Sequence, residues 1–186
     1  MATSKSTPLF GGAITVDLPS TFSDVSNIRQ VPDHQEVYLD SNGFASVMFD
    51  ILERVGEAEA ATDEQALKYH FNDIVSGTGD RTEMYMPGDA PLAKLPTTRA
   101  LTLLATQHPT TKRNPKDADF TVIQLILIRL VSQETDVVIS VNVPHVPGEN
   151  RDQDVDVTAE KMATAKGIRD QILQTFEVRD WGLFGQ

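Results

Sequence analysis

The spacing of hydrophobic residues predicts several short β-strands. Residues 12–18 alternate between apolar and polar positions as a half-buried strand does, and Pro19 ends the pattern. Two apolar, β-branched runs at 120–130 and 136–143 are joined by a short polar segment, which predicts a hairpin. Because these runs are apolar on both faces, we expect a sheet that is covered on both sides. Further strands are predicted over residues 35–39, 81–86 and 99–107.

Helical periodicity occurs in two other segments. Thr62 and Gln65 have the spacing of a capping box, and an apolar stripe at helical spacing follows them. Gly77 suits the position just after a helix, so we expect this helix to end beside it. A final helix, capped by Thr158, is predicted over the periodic segment that ends near residue 176.

Three shorter segments give weaker patterns. Residues 23–28 are predicted to form one helical turn capped by Ser23. The apolar residues within 44–55 have helical spacing, which fits a helix by period. The tail at 181–184 carries three large apolar residues, so it either docks on the core or is itself a contact site. Docking is favoured, because exposed apolar clusters are uncommon.

Length predicts a single domain over residues 1–186. Residues 1–8 are polar and small, without the apolar stretch of a secretory signal, and we expect them to be flexible. Residues 144–157 are rich in proline and acids and are expected to form a mobile acidic loop. The apolar runs fall far short of the ~20 residues that a membrane helix needs. These features predict an intracellular, soluble protein.

Net charge points to the kind of partner. The formal charge is −11 and the isoelectric point is about 4.7, so the surface repels nucleic acid and anionic membranes. The same field favours a basic protein partner, although an acidic surface that only maintains solubility is the common alternative.

Sequence motifs for covalent chemistry are missing. There is no Gly-x-x-x-x-Gly-Lys-Ser/Thr loop and no Gly-x-Ser-x-Gly motif, and no two histidines have zinc-ligand spacing. The absence of cysteine excludes thiol catalysis and disulfides. We therefore expect no enzyme activity, no metal and no cofactor. His70 and Asp73 could share a helix face, but a histidine beside the core is the better explanation, and Asp136 is interpreted as a structural turn residue.

A proline turn with two acids precedes one predicted strand. Pro32 fixes one backbone angle and Asp33 is a favourable turn residue beside it, so Asp33 and Glu36 should lie close together at the rim of a sheet. The residues alone favour structural surface acids over protein-contact residues. A general acid–base pair is disfavoured further, because no nucleophile or oxyanion donor is nearby.

Several motifs in order along the chain resemble those of the Ran guanine nucleotide release factors, the Mog family. The resemblance is weakest over residues 77–119. The matching segments are Leu-Phe-Gly-Gly-Ala-Ile at 9–14, Val-Pro-Asp-His-Gln-Glu-Val-Tyr at 31–38, His-Phe-Asn-Asp at 70–73, Ile-Arg-Leu at 128–130, Thr-Asp-Val-Val-Ile-Ser-Val-Asn at 135–142 and Leu-Phe at 183–184.

The resemblance implies an α+β fold. The fold of this family is an antiparallel sheet, expected here to have about six strands, sandwiched by helices on both faces and shared with the photosystem PsbP proteins. It also favours a strand over much of 44–55, where the periodicity fits a helix.

The function implied by the resemblance is binding of Ran and promotion of guanine nucleotide release in nuclear protein import. It places Ran-binding residues at Asp33 and Glu36, with Gln35, Val37 and Tyr38 as weaker candidates, and it implies a monomer in nucleus and cytoplasm. Charge reversal at both acids is expected to abolish binding without unfolding the domain.

Two alternatives stay open beside this hypothesis. A PsbP-like photosystem subunit would share the fold, but residues 1–8 leave no room for plastid targeting. A non-catalytic acidic adaptor that binds another basic protein would have the same negative net charge and the same acidic proline turn.

Overall fold

The computed structural model describes residues 3–26, 28, 31–85, 87–148 and 156–185. The helices are α1 (Asp63–Val75) and α2 (Val157–Thr175), and short 3-10 turns lie at Phe10–Gly12, Val131–Gln133 and Trp181–Phe184. The strands are β1 (Ser4–Leu9), β2 (Ile14–Pro19), β3 (Phe22–Asp24), β4 (Gln35–Asp40), β5 (Ser46–Glu53), β6 (Arg81–Met84), β7 (Gly88–Asp89), β8 (Ala100–His108), β9 (Phe120–Leu130), β10 (Thr135–His145) and β11 (Glu177–Val178).

The main sheet is antiparallel and has the strand order β3-β4-β5-β10-β9-β8-β6, with β7 also paired to β8. The eight strands found among the described residues exceed the six or so that we expected, because short strands such as β3 and β7 carry too few residues to produce a periodic pattern. A smaller antiparallel sheet, β1-β2-β11, lies beside it. The α+β class and the predicted β9–β10 hairpin are confirmed.

Helices cover both faces of the main sheet, as predicted. Helix α1 packs mainly on β8 and β9, while α2 packs on β9, β10 and β2. Strand β9 is buried along almost its whole length, which explains why its sequence is apolar on both faces. Helix α1 begins at the predicted capping box: the Gln65 amide donates to the Thr62 hydroxyl at 3.2 Å, and the Gln65 side chain accepts from the Thr62 amide at 3.2 Å.

Two predicted local features differ in the structure. The helical turn expected at 23–28 is wrong at its start, because Phe22–Asp24 pairs with β4 as strand β3 and buries Phe22. The cap expected at Thr158 is instead Asp156, whose carboxylate accepts from the Ala159 amide at 3.1 Å.

Residues 44–55, where helix and strand were both open, contain strand β5. Val47 and Phe49 point into the core between β4 and β10, and this pairing overrides the helical spacing of the apolar residues.

The chain ends also differ in part from expectation. Strand β1 begins at Ser4 within the segment expected to be flexible, and it pairs with β2 from Ser4↔Pro19 to Leu9↔Ile14. Of the expected mobile loop at 144–157, the first two residues belong to β10 and residues 149–155 lie outside the described residues. In the tail, Leu183 and Phe184 pack against the core.

On the face of the main sheet that α1 covers, the described residues place no helix over the half formed by β3 and β4. Val138 of β10 belongs to the core under α1, and Asp50 and then Gln35 lie opposite it across β5 and β4. Side chains two residues apart share a face, so Val37 and Leu39 continue the surface that α1 covers elsewhere. Among the described residues, no helix of eight residues or more packs on β3 or β4 in the way that α1 packs on β8. In the described part of the chain, neither helix has the length and apolarity needed to cross a membrane.

Candidate functional site

The predicted proline turn is present at the start of β4. The Gln35 amide donates to the Pro32 carbonyl at 2.9 Å, which closes the turn, and the His34 carbonyl accepts from the Ile51 amide at 2.9 Å. Asp33 is exposed at the tip of this turn. Within the described residues its carboxylate has no hydrogen-bond donor and no ion-pair partner, so it is available to another molecule.

Glu36 lies on β4 and its side chain is half-buried. Its Oε1 accepts from the Phe10 amide at 2.7 Å and its Oε2 accepts from the Tyr38 hydroxyl at 3.2 Å. Burial raises the pKa of Glu36 above its ordinary value, against the lowering effect of these two hydrogen bonds, and the neighbouring charge of Asp24 raises it further. Glu36 therefore has a structural task that Asp33 lacks.

Glu36 stabilises the turn at residues 10–12, which has an unusual backbone conformation. Phe10 and Gly11 have positive φ angles of 49° and 68°, and Gly12 follows at 91°. A left-handed conformation is unfavourable for a residue with a side chain, so Phe10 needs compensating contacts. The Glu36 carboxylate supplies one of them by accepting the Phe10 amide hydrogen.

Both acids line one open cavity of about 440 Å³, which we call the acidic groove. Asp24 adds a third carboxylate, and among the described residues the lining includes no lysine, arginine or histidine. The groove is lined by Phe10, Gly11, Asp24, Ser26, Val31, Pro32, Asp33, Gln35, Glu36 and Leu183.

A second cavity of about 770 Å³ adjoins the first, and we call it the apolar groove. Among the described residues of its lining, Gln35 supplies the one polar side chain, and its Nε2 donates to Asp50 Oδ1 at 2.7 Å. Burial raises the pKa of Asp50 at this edge. The groove is lined by Val25, Ile28, Val31, Pro32, Gln35, Val37, Leu39 and Met48.

The structure places the predicted site residues in different surroundings. Asp33 and Glu36 meet in the acidic groove, Gln35 lines both grooves, and Val37 lines the apolar groove. Tyr38 is only 4% exposed and packs edge-on against Phe49, with ring centroids 6.0 Å apart. The core covers the ring of Tyr38, so it offers little surface to a partner, and its hydroxyl donates to Glu36. Its place among the weaker Ran-binding candidates stays a prediction.

Several lining residues were not singled out from the sequence. Leu39 and Ile28 are 44% and 84% exposed, and Met48 lies opposite Val37 in the β4–β5 ladder. The alternation of residues 35–39 would have placed Leu39 beside Val37, which is a usable signal. Leu183 joins the site through tertiary packing, which one sequence does not reveal.

A buried polar network lies elsewhere, between α1 and the β9–β10 hairpin. His70 Nε2 is 2.9 Å from Asp136 Oδ2, and Arg129 Nε donates to Asp136 Oδ1 at 3.0 Å. Arg129 also donates to Asp63 at 2.9 Å and to the Val55 carbonyl at 2.7 Å. The structural interpretations of His70 and Asp136 fit this arrangement, although their contact with each other was not predicted.

Asp136 is fully buried, and its carboxylate accepts three hydrogen bonds in this network, the third from the Val55 amide at 3.0 Å. Burial alone would raise the pKa of Asp136, but the bonds from His70, the Val55 amide and Arg129 outweigh it and hold the pKa below its ordinary value. Such a closed set of partners joins helix to hairpin and leaves no carboxylate oxygen free for a ligand. Within the described residues, no three histidine or carboxylate side chains are grouped to hold a metal ion.

Comparison with known proteins gives a family match. The model of the family described as Ran-interacting Mog1 protein matches residues 7–144. A Ran guanine nucleotide release factor from Bos taurus is 29% identical over 190 residues, covering 100% of this chain and 99% of the relative. A nuclear import protein mog1 from Schizosaccharomyces pombe is 34% identical over 146 residues, covering 73% of this chain and 75% of the relative.

Solved structures agree on the fold. The crystal structure of the Ran-binding protein Mog1p from Saccharomyces cerevisiae has a TM-score of 0.72 at 27% identity, with 100% of each chain covered. The solution structure of cyanobacterial PsbP from Synechocystis has a TM-score of 0.58 at 11% identity, covering 96% of this chain and 94% of that one. The second likeness concerns the fold alone.

Proposed function

Since the chain belongs to the family of Ran-interacting Mog1 proteins, we propose that it binds the GTPase Ran and promotes release of its guanine nucleotide in nuclear protein import. The observation that carries the proposed site is Asp33, an exposed carboxylate in the lining of the acidic groove, without an internal partner among the described residues. A carboxylate so placed can form charge-assisted hydrogen bonds with lysine or arginine of a partner.

The two acids act differently in this proposal. Asp33 contacts a basic side chain of Ran directly. Glu36 contributes negative charge to the same groove and keeps the Phe10–Gly12 wall in place through its bond to the Phe10 amide. The net charge of −11 adds a long-range attraction for a basic surface, which raises the rate of encounter.

Nucleotide release requires no covalent step. If the chain binds nucleotide-free Ran more tightly than loaded Ran, linkage requires that nucleotide affinity fall by the same factor. The chain then acts as a binding protein, consistent with the names of its relatives as release factors. We propose further that it works as a monomer and is present in nucleus and cytoplasm.

The test is release of a fluorescent nucleotide from purified Ran in the presence of this chain. Wild type should accelerate release, and Asp33→Lys should lose most of the acceleration while its far-UV circular dichroism stays unchanged. Asp73→Lys is the matched control, because Asp73 is an exposed acid on α1 and the change in net charge is the same. If both variants lost the acceleration equally, net charge alone would explain the effect of Asp33→Lys. If wild type did not accelerate release, the proposed function would be refuted.

Reversal of charge at Glu36 is a less clean test than the sequence suggested. A lysine there would bring an ammonium group against the Phe10 amide, which is itself a donor, and would disturb the turn at residues 10–12. Loss of binding in a double reversal could then come from structural damage. Glu36→Gln is the better variant, because its amide oxygen can still accept the Phe10 hydrogen while the charge is removed.

A further inference from the structure

The apolar groove lies on the half of the main sheet that α1 does not cover, and the described residues place no helix over it. Val37 and Met48 are half-buried and belong to neither hydrophobic core of the described residues. Leu39 is 44% exposed and Ile28 is 84% exposed above them. A contiguous apolar surface of this kind on a globular protein is typical of an interaction site.

Continuity with the acidic groove indicates the occupant. Val31, Pro32 and Gln35 line both cavities, so a molecule bound at Asp33 lies directly against the apolar groove. Two acids border this groove: Asp33 follows the shared residue Pro32, and Asp50 lies opposite Gln35 in the β4–β5 ladder. They favour a partner that combines apolar and basic side chains.

A second copy of the chain suits the groove poorly. Each copy carries a net charge of −11 and would bring its own acidic groove next to that of the other. Like charges facing one another oppose such a dimer, whereas a basic partner is attracted to the same surface.

We propose that the apolar groove is the second half of the Ran-binding surface and accepts aliphatic side chains of Ran that lie next to the lysine or arginine bound at Asp33. This inference rests on the proposed function. The two grooves affect different rate constants of Ran binding. The acidic groove raises the association rate, and the apolar groove lowers the dissociation rate because its contacts form only after docking.

Kinetics of Ran binding distinguish the two halves. Leu39→Ser and Ile28→Ser should each raise the dissociation rate of the complex about five- to thirtyfold and leave the salt dependence of association unchanged. Asp33→Asn should instead slow association and flatten its salt dependence. Met84→Ser is the matched control, since Met84 is 48% exposed on edge strand β6 at the far end of the sheet.

Each outcome decides between named possibilities. Raised dissociation rates in both groove variants, with an unchanged Met84→Ser control, support the inference. Binding by wild type with unchanged dissociation in the groove variants overturns it and leaves the proposed function intact. No binding of Ran by wild type overturns both. Sedimentation that finds a wild-type dimer, converted to a monomer by Leu39→Ser, overturns it in favour of a second copy.

Discussion

At the scale of single residues, Glu36 and Asp33 show how two acids of one motif can have separate roles. Asp33 has no internal partner among the described residues, whereas Glu36 accepts hydrogen bonds from Phe10 and Tyr38. The sequence predicted the turn and the nearness of the acids, because proline and aspartate have strong local preferences. It could not predict the bond to Phe10, since that contact joins residues 26 positions apart.

Truncation of Glu36 should destabilise the domain, while the isosteric amide should not. Glu36→Ala leaves the Phe10 amide without an acceptor in a partly buried position, which costs about 1 to 3 kcal/mol. Glu36→Gln keeps the acceptor and should lose far less stability in urea denaturation at pH 7. Equal losses in the two variants would mean that the bond to Phe10 contributes little.

The pH dependence of these variants follows from the raised pKa of Glu36. The folded state holds this proton more tightly than the unfolded chain, so the contribution of Glu36 to stability falls as pH rises from 4.5 through the raised value. Glu36→Gln lacks this loss. The unfolding free energy of Glu36→Gln should therefore increase relative to that of wild type as pH rises from 4 to 7, measured at constant ionic strength.

The contribution of Asp136 to stability depends on pH in the opposite direction. Its folded pKa is lowered, so its contribution is present above the ordinary value of 3.8 and is lost as pH falls through the folded value. Asp136→Asn removes one of the two carboxylates paired with the buried Arg129, while Asp63 stays in place, and should cost about 1 to 3 kcal/mol at pH 7. Asp73→Asn is the exposed control. The gap between Asp136→Asn and wild type should shrink in acid, and a constant gap would contradict this account.

At the scale of helices and strands, the sequence predicted those elements that depend on contacts between residues close together in the chain. The capping box fixed the start of α1, and continuous apolar runs predicted the β9–β10 hairpin. Strand β3 was missed because three residues cannot display a period, and its form depends on pairing with β4. Strand β5 stayed undecided because its helical spacing competed with burial between two neighbours.

The β9–β10 connection contains one strained residue that permits a test. Glu134 has a φ of 48° and is exposed just before β10. Glu134→Gly removes the steric cost of this left-handed conformation and should raise the unfolding free energy by about 0.5 to 1 kcal/mol, net of the greater entropy of glycine in the unfolded chain.

Ser132 supplies the matched control for that change, because it lies in the adjacent 3-10 turn and its φ is not positive. Ser132→Gly should be neutral or destabilising in the same chemical denaturation. A loss of stability in Glu134→Gly comparable to that of Ser132→Gly would show that the left-handed conformation carries no strain.

At the scale of the whole molecule, the candidate site arises from an incomplete layer. In the described part of the chain, α1 packs on β8 and β9 of its face of the sheet and not on β4, where Val37 and Leu39 lie. The sequence showed apolar residues on both faces of the strands but not where α1 would end over them. The acidic motif could therefore be recognised from the sequence, whereas the apolar groove beside it required the fold.

The two sheets share one core, which predicts a single cooperative unfolding transition. Leu9, Ile14 and Val178 of the smaller sheet lie in the same hydrophobic cluster as Phe49 and Val141 of the main sheet. Helix α2 packs on both β2 and β10, so neither sheet can unfold without exposing the core of the other.

The only tryptophan in the chain, Trp181, reports on the tail during this transition. Its ring lies 5.8 Å from that of Phe184, which packs against the shared core together with Leu183. Trp181 fluorescence and far-UV circular dichroism should therefore give the same urea midpoint. A fluorescence change at lower urea would mean that the tail leaves the core first, and two circular dichroism transitions would mean that the sheets unfold separately. Because Leu183 also lines the acidic groove, early release of the tail would open the site before the fold is lost.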